Sequence, residues 1–235
     1  MRPLSERTPR RTHAIADRRT CTHGVARRSS RDAGTARLIG AIVAGGTNTR
    51  FGGEPKGLQS LDGQRIIDRI ANALQPVVRD VVLVANAPDA ESWLPSARLA
   101  RDVQTRRGSL VGLHTALTAA DGDDVLVVAW DMPFVTTKLL RFISSRLVRP
   151  IHAAVPELAS GFEPFCAAYC AACLPIVEQR LNEGELRMGA FIDELPVVRR
   201  IGATELSSFG DPAQLFFNVN SADDLAVAQR MARGD

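Results

Sequence analysis

The stretch 38–57, LIGAIVAGGTNTRFGGEPKG, concentrates the residue types that bind anions. Gly45, Gly46, Gly52 and Gly53 let the backbone come close to a ligand, so that successive free N–H groups can face phosphate oxygens. Arg50 and Lys56 place cations beside them. Lys56 stands out because the chain contains 27 arginines and only two lysines, Lys56 and Lys138. A compact ammonium fits between phosphate oxygens where a planar guanidinium does not. The spacing is neither that of a P-loop, which needs Gly-Lys followed by Ser or Thr, nor that of a dinucleotide fingerprint, which needs Gly-x-Gly-x-x-Gly.

A second chemical position is Asp131, directly after the apolar run 124–130 and before Met132-Pro133. A carboxylate at the end of a buried strand is unfavourable unless something cationic compensates it. Asn86 and Asp102 also fall where strands should end, and each could be a ligand contact or a plain polar strand end. Asn218 and Asn220 share one face of an alternating segment, 216–220, whose other face carries Phe217 and Val219; either asparagine is open as a second metal ligand. Cys166, Cys170 and Cys173 have the spacing of three iron–sulfur ligands. They lie across an expected strand and helix start rather than on an open loop, which favours buried core thiols over a cluster.

These positions need a scaffold. Leu38–Ala44 is apolar without alternation, as expected of a strand buried on both faces. Helical spacing of Ile66, Ile67, Ile70, Ala73, Leu74 and Val77 predicts a helix over 65–76. Strands follow at 81–85, 98–102 and 124–130, with helices from about 110 and from Thr136 to about 148. Later strands are expected at 151–156, 165–169 and 197–201, and helices at 174–181, 187–195 and from Ser221, with Asp224 completing an N-capping pattern. Such alternation implies a three-layer, doubly wound α/β domain on a largely parallel sheet, with ligands at the carboxyl ends of its strands. His114, on the second helix, reads as a surface or satisfied histidine.

The 235 residues suffice for one such domain, 38–235, preceded by a tail. Residues 1–37 hold ten Arg against Glu6, Asp17 and Asp32, a local net of +7, which leaves the rest at about −4 within a total of +3. The basic character belongs to the tail, so the domain offers no electrostatic case for nucleic acid. Rich in Arg, Thr and Ser and without apolar periodicity, the tail is expected to be disordered and dispensable rather than a transit peptide or an interaction arm. No apolar run reaches the roughly 18 residues needed to cross a bilayer, so no membrane span is expected. Four cysteines, three of them clustered, suggest a reducing compartment.

Ala44-Gly45-Gly46, Arg50-Phe51-Gly52 and Lys56 resemble the loop of nucleotidyltransferases. Together with Trp130-Asp131-Met132-Pro133-Phe134, Glu163-Pro164-Phe165-Cys166-Ala167-Ala168-Tyr169 and Asn218-Val219-Asn220, in that order, they resemble the molybdenum cofactor guanylyltransferases over residues 38 to about 230. The resemblance implies the nucleotide-diphospho-sugar transferase-like fold, GTP as nucleotide, Mg²⁺ as cofactor, molybdopterin or molybdenum cofactor as acceptor, and a cytoplasmic monomer that meets molybdoenzymes or other cofactor-biosynthesis proteins. It puts Ala44, Gly45 and Gly46 around the nucleotide, Lys56 on its phosphates, Asn86 and Asp102 near base and ribose, and Asp131 on magnesium. The chemistry suits these residues: charge repulsion is the main obstacle when a phosphate attacks a triphosphate, and Lys56, Arg50, metal and loop amides would relieve it without a protein nucleophile. On this reading Asp131→Asn lowers turnover with little effect on stability. The alternatives are a cytidylyltransferase, or a transferase for another small phospho-acceptor, on the same fold. One departure is Gly108-Ser109-Leu110 where the family has Gly-Pro-Leu; Ser109 is expected to cap the helix instead.

Overall fold

The computed structural model describes residues 38–45, 55–102 and 108–234. In chain order they form β1 (Leu38–Val43), the short strands β2 (Ser60–Leu61) and β3 (Gln64–Arg65), α1 (Ile66–Leu74), β4 (Asp80–Val84), β5 (Arg98–Ala100), α2 (Ser109–Ala119), β6 (Asp124–Ala129) and α3 (Thr137–Ser145). The second half adds β7 (Ala153–Leu158), β8 (Gly161–Phe162), β9 (Cys166–Tyr169), α4 (Cys173–Glu183), α5 (Met188–Glu194), β10 (Val198–Ile201), α6 (Ala203–Leu206), α7 (Pro212–Leu215) and α8 (Ala222–Arg233). The expectation for residues 1–37 lies outside the described residues.

The main sheet has the order β10-β7-β9-β6-β1-β4-β5, with β8 paired to β7. β1 runs parallel to both neighbours, Ile42 facing Leu83 of β4 and Val128 of β6. Being flanked on both sides and covered on both faces, it can be apolar throughout. Alternate residues serve different cores: Ile42, Leu126 and Val128 pack with α1 and α3, while Ile39, Val43, Val125 and Val127 pack with α2, α4 and α5. The expected largely parallel, doubly wound α/β sheet is what is found. Its exceptions are β9, antiparallel to both β6 and β7, and the short β8, antiparallel to β7. Only residues 159–165 separate β7 from β9, too few for the crossover that parallel pairing needs.

Local signals account for most of the boundaries. Thr136 caps α3 by accepting from Leu139 N, and Ser221 caps α8 by accepting from Asp224 N while Asp224 Oδ2 accepts from Asn220 N. The β2–β3 hairpin, not anticipated above, turns on Asp62 (φ 51°) and Gly63 (φ 76°), the left-handed pair that a two-residue hairpin demands.

Two expectations fail. Residues 216–220 do not form a strand: Phe216 and Val219, not Phe217 and Val219, point into the core. The segment bonds to the sheet at one point, Val219 N to Asp131 O at 2.9 Å, which replaces an alternating ladder by a loop. His114 is neither exposed nor fully satisfied: it is buried, its Nδ1 has no partner among the described residues, and Nε2 lies 3.8 Å from Glu178 Oε1. Because α4 packs over α2, the outer face of α2 is not free to face water, and the helix is apolar nearly all round. Among the described residues no helix is long and apolar enough to cross a membrane.

Candidate active site

β1, β4, β5 and β6 are mutually parallel, so their carboxyl ends share one edge of the sheet. Ala44 and Gly45 leave β1 there, Asn86 leaves β4, Asp102 leaves β5 and Asp131 leaves β6. Pairing continues beyond the strands, with Ala44 N bonded to Val84 O, Ala85 N to Ala100 O and Trp130 N to Val43 O, which holds these ends together. All five residues line a single cavity of about 850 Å³. Gly46 and Arg50, expected beside them, lie outside the described residues.

Lys56 opens a one-turn 3₁₀ segment after Pro55. Its ammonium donates to Asp131 Oδ2 and, at 2.8 Å, to Asn220 Oδ1. This is the compensating cation that a carboxylate at the end of β6 requires. Three separate chain segments meet here: Asn220 is held by the α8 cap, Asp131 by β6 and by the Val219 bond, and Lys56 by its short helical turn. Lys138, the other lysine, is exposed on α3.

Asn86 and Asp102 do more than end strands near one another. Asn86 Nδ2 donates to Asp102 Oδ2 at 2.6 Å, and Asp102 N donates back to Asn86 Oδ1 at 2.8 Å. Thr115 Oγ1 on α2 takes the other carboxylate oxygen at 2.6 Å. Asp102 is thereby held at a fixed angle to the cavity.

Several contributors escaped the sequence reading. Gly57 is one: a Cβ there would sit 2.4 Å from Cε3 of Trp130, so the backbone beside Lys56 lies directly on the indole. Trp130 stacks in turn on Trp93, with ring centroids 5.1 Å apart, and both rings line the cavity. Ser109 does not cap α2. It is the first residue of the helix, and its hydroxyl donates to Leu186 O at 3.0 Å and accepts from Met188 N, tying the start of α2 to the approach to α5. Gly108 must be glycine for that contact, since its Cβ would fall 2.7 Å from Leu186 Cβ. Glu163 is the last: it lines the cavity and burial raises its carboxyl to about 7. A lone glutamate in Glu163-Pro164-Phe165 has no spacing that would single it out.

For a metal, the useful observation is Asp131 Oδ1, which is buried and has no hydrogen-bond partner among the described residues; Asn218 lines the same cavity, and Asn220 shares the Lys56 ammonium with Asp131. The described residues contain no cluster of three or more His, Cys, Asp or Glu. A site with one carboxylate suits Mg²⁺, which keeps waters and substrate phosphates as its other ligands. The residues therefore fit that ion.

The cysteines do not fit a cluster. Cys166 packs in the core on the α1 and α3 face, while Cys170 and Cys173 pack on the opposite face. All three are buried free thiols, and Cys173 donates to His152 O at 3.2 Å. Strand alternation alone would return Cys170 to the face of Cys166; the turn after β9 carries Cys170 and Cys173 to the other face instead.

The profile of the MobA-like NTP transferase domain matches residues 40–197. Over 193 residues the chain is 36% identical to a molybdenum cofactor guanylyltransferase from Desulfosudis oleivorans, spanning 82% of this chain and 94% of that one. The crystal structure of molybdopterin-guanine dinucleotide biosynthesis protein A from Archaeoglobus fulgidus superposes with a TM-score of 0.71 at 25% identity, covering 84% of this chain and 100% of the other. The fold alone is shared with 4-diphosphocytidyl-2C-methyl-D-erythritol synthase from Anaerococcus prevotii, at a TM-score of 0.62 and 14% identity over 84% of this chain and 96% of that one.

Proposed function

Because the chain belongs to the MobA-like NTP transferase family, we propose that residues 38–235 transfer GMP from GTP to the terminal phosphate of molybdopterin or the molybdenum cofactor, with release of pyrophosphate. The observation that carries this reading is the Lys56–Asp131–Asn220 cluster at the carboxyl edge of the sheet, on the rim of a cavity large enough for two substrates. Asp131, with Asn218 or Asn220 beside it, would hold Mg²⁺, which would neutralise charge on the triphosphate and on the leaving pyrophosphate. Lys56 would exchange its carboxylate partner for phosphate oxygens when the nucleotide enters. Ala44, Gly45 and Gly46 would offer backbone N–H groups and close approach, and Arg50 a further cation. Asn86 and Asp102 would receive the ribose and base.

The acceptor phosphate is already an anion, so no side chain has to remove a proton from it. One of its oxygens bonds to the α-phosphorus, the α–β bridging bond breaks, and pyrophosphate carries away the electron pair. The chain's own part is to align two anions that repel each other and to exclude water from the α-phosphorus.

The test is pyrophosphate release by the full chain with molybdopterin, Mg²⁺ and GTP, CTP or ATP in turn. GTP should be preferred in kcat/KM by at least about a hundredfold, since a site that hydrogen-bonds a base rejects one lacking the matching groups. Preference for CTP would make this a cytidylyltransferase, and absence of pyrophosphate with all three would overturn the reading.

A further inference from the structure

Glu163 stands apart from every other carboxylate described at the site. Asp131 has Lys56, and Asp102 has Asn86 and Thr115, but Glu163 has neither a hydrogen bond nor an ion pair to its side chain among the described residues, although it is half-buried in the cavity wall. Its position is fixed nonetheless. Glu163 N donates to Pro156 O at 2.9 Å, Glu163 O accepts from Cys166 N at 3.1 Å, and the following Pro164 O accepts from the buried Tyr169 hydroxyl at 2.8 Å. On a backbone held in this way, a half-buried carboxylate with no partner among the described residues, beside Pro164 and Phe165, is unfavourable unless a ligand supplies donors.

Its place in the sheet says which ligand. Asn86 and Asp102 close β4 and β5, and the phosphate-binding cluster sits at β1 and β6. Glu163 precedes β9, beyond β6 and on the far side from β4. At roughly 4.8 Å per strand, β9 lies about 14 Å from β4. A nucleotide with its base towards Asn86 and its phosphates at Lys56 occupies the β1–β5 half, leaving the half beside β9 for the acceptor. Among the described residues neither carboxylate oxygen of Glu163 has a hydrogen-bond partner, and two adjacent donors would match them.

We infer that Glu163 is a specificity-determining residue for the acceptor, its carboxylate accepting a pair of parallel hydrogen bonds from the ring N–H and exocyclic amino group of a 2-amino-4-oxo-pyrimidine edge, the edge that a pterin presents. This rests on the proposed function for the identity of the acceptor. Pro164 and Phe165 supply the apolar wall along the ring, and burial, which raises the Glu163 carboxyl, disfavours its anion until donors reach it.

Pterin and lumazine separate the idea from its rivals, because lumazine replaces the amino donor with a carbonyl acceptor. Binding of each to the full chain is read by ring fluorescence at pH 7.5, where the carboxylate is mostly anionic and the ring N–H is mostly retained, with GTP affinity measured in parallel. The native protein should hold pterin at least about tenfold tighter than lumazine, since an unmatched polar edge leaves the site group unpaired. Glu163→Gln, which turns one acceptor into a donor, should erase that preference while GTP affinity stays within twofold. Preference retained in the variant, or no pterin binding by the native protein, would overturn the inference. So would a parallel fall in GTP affinity, which would assign the carboxylate to guanine, whose edge carries the same donors. None of these readouts requires turnover, so failure of nucleotidyl transfer remains a separate result that bears on the proposed function alone.

Discussion

Lys56 and Asp131, 75 residues apart in the chain, form an ion pair whose side chains are only 14% and 10% exposed, with Asn220 Oδ1 accepting a second proton of the ammonium at 2.8 Å. The pair solves a problem that exists before any substrate arrives, since neither charge is tolerable there alone. On the proposed function it also sets what the cluster can exchange: an entering phosphate would compete with the carboxylate for Lys56, and an entering cation would compete with Lys56 for the carboxylate.

The first prediction follows from that balance. Lys56→Met strands a buried carboxylate and should destabilise the free protein by roughly 3 kcal/mol, the scale for removing one partner of such a pair. Asp131→Asn should also lower the melting temperature, contrary to what its sequence position alone implied, because it strands Lys56. The double variant should be less destabilised than the sum of the singles. Additive losses in a thermal double-mutant cycle would show that the two charges do not depend on each other.

Gly57 gives a prediction about position rather than charge. Its backbone lies against the Trp130 ring, and Gly57→Ala would force a methyl to within 2.4 Å of Cε3 unless the segment moves. Overpacking of this kind costs about 1–3 kcal/mol. Because Lys56 is the adjacent residue, kcat should fall further than stability accounts for. Normal kcat at a lowered melting temperature would mean that the lysine reaches its partners from a displaced backbone.

How far the sequence revealed this site varies residue by residue. Lys56 and Asp131 were conspicuous because each is chemically out of place, a lysine in an arginine chain and an acid ending an apolar strand. Asn86 and Asp102 could be put at strand ends, yet nothing in one dimension indicated that they bond to each other and to Thr115. Asn220 was read from a supposed alternating strand. Its actual role depends on a loop that docks through Val219 and on the α8 cap, both of them tertiary contacts. The parallel core was legible because β1 and β6 are continuous apolar runs and α1 and α3 carry strong helical periodicity. The reversed direction of β9 was not, since a strand buried on both faces looks the same in either direction. Glu163 and Gly57 depend on what lies across from them, and their neighbours in sequence give no hint of it.

Burial of Glu163 should appear in the pH dependence of stability. Its carboxyl is raised from 4.5 to about 7 in the folded protein, through desolvation. The folded state thus binds the proton more tightly than the unfolded one, so this contribution to stability is fully present below pH 4.5 and is lost as pH rises towards 7. Glu163→Gln, which cannot ionise, should raise the melting temperature at pH 8 and leave it nearly unchanged near pH 4.5. With the side chain partly open to solvent, the gain should be about 1–2 kcal/mol rather than the full linkage value. A variant no more stable than the native protein at pH 8 would show that water or a neighbouring donor already solvates the carboxylate.

The last prediction concerns the hydrogen-bond chain behind Asp102. The Thr115 hydroxyl has one proton and two acceptors in reach, Asp102 Oδ1 at 2.6 Å and Val111 O at 3.1 Å. The nearer, charged acceptor takes it, because a hydrogen bond to a carboxylate is shorter and stronger than one to a neutral carbonyl. Thr115→Val keeps the volume and removes the donor, leaving Asp102 tethered through Asn86 alone. If Asp102 receives the ribose or base, its wider range of motion should raise the KM for GTP by about fivefold, equivalent to roughly 1 kcal/mol, with kcat within twofold. The KM for the acceptor should not move, since Asp102 is at the β5 end of the cavity and the half proposed above for the acceptor lies beyond β6. Asn86→Ala, which deletes two of the bonds that position Asp102, should do the same more strongly. A fall in kcat at constant KM would instead place Asp102 in the chemical step, and unchanged GTP kinetics in both variants would remove the Asn86–Asp102 pair from the nucleotide site altogether.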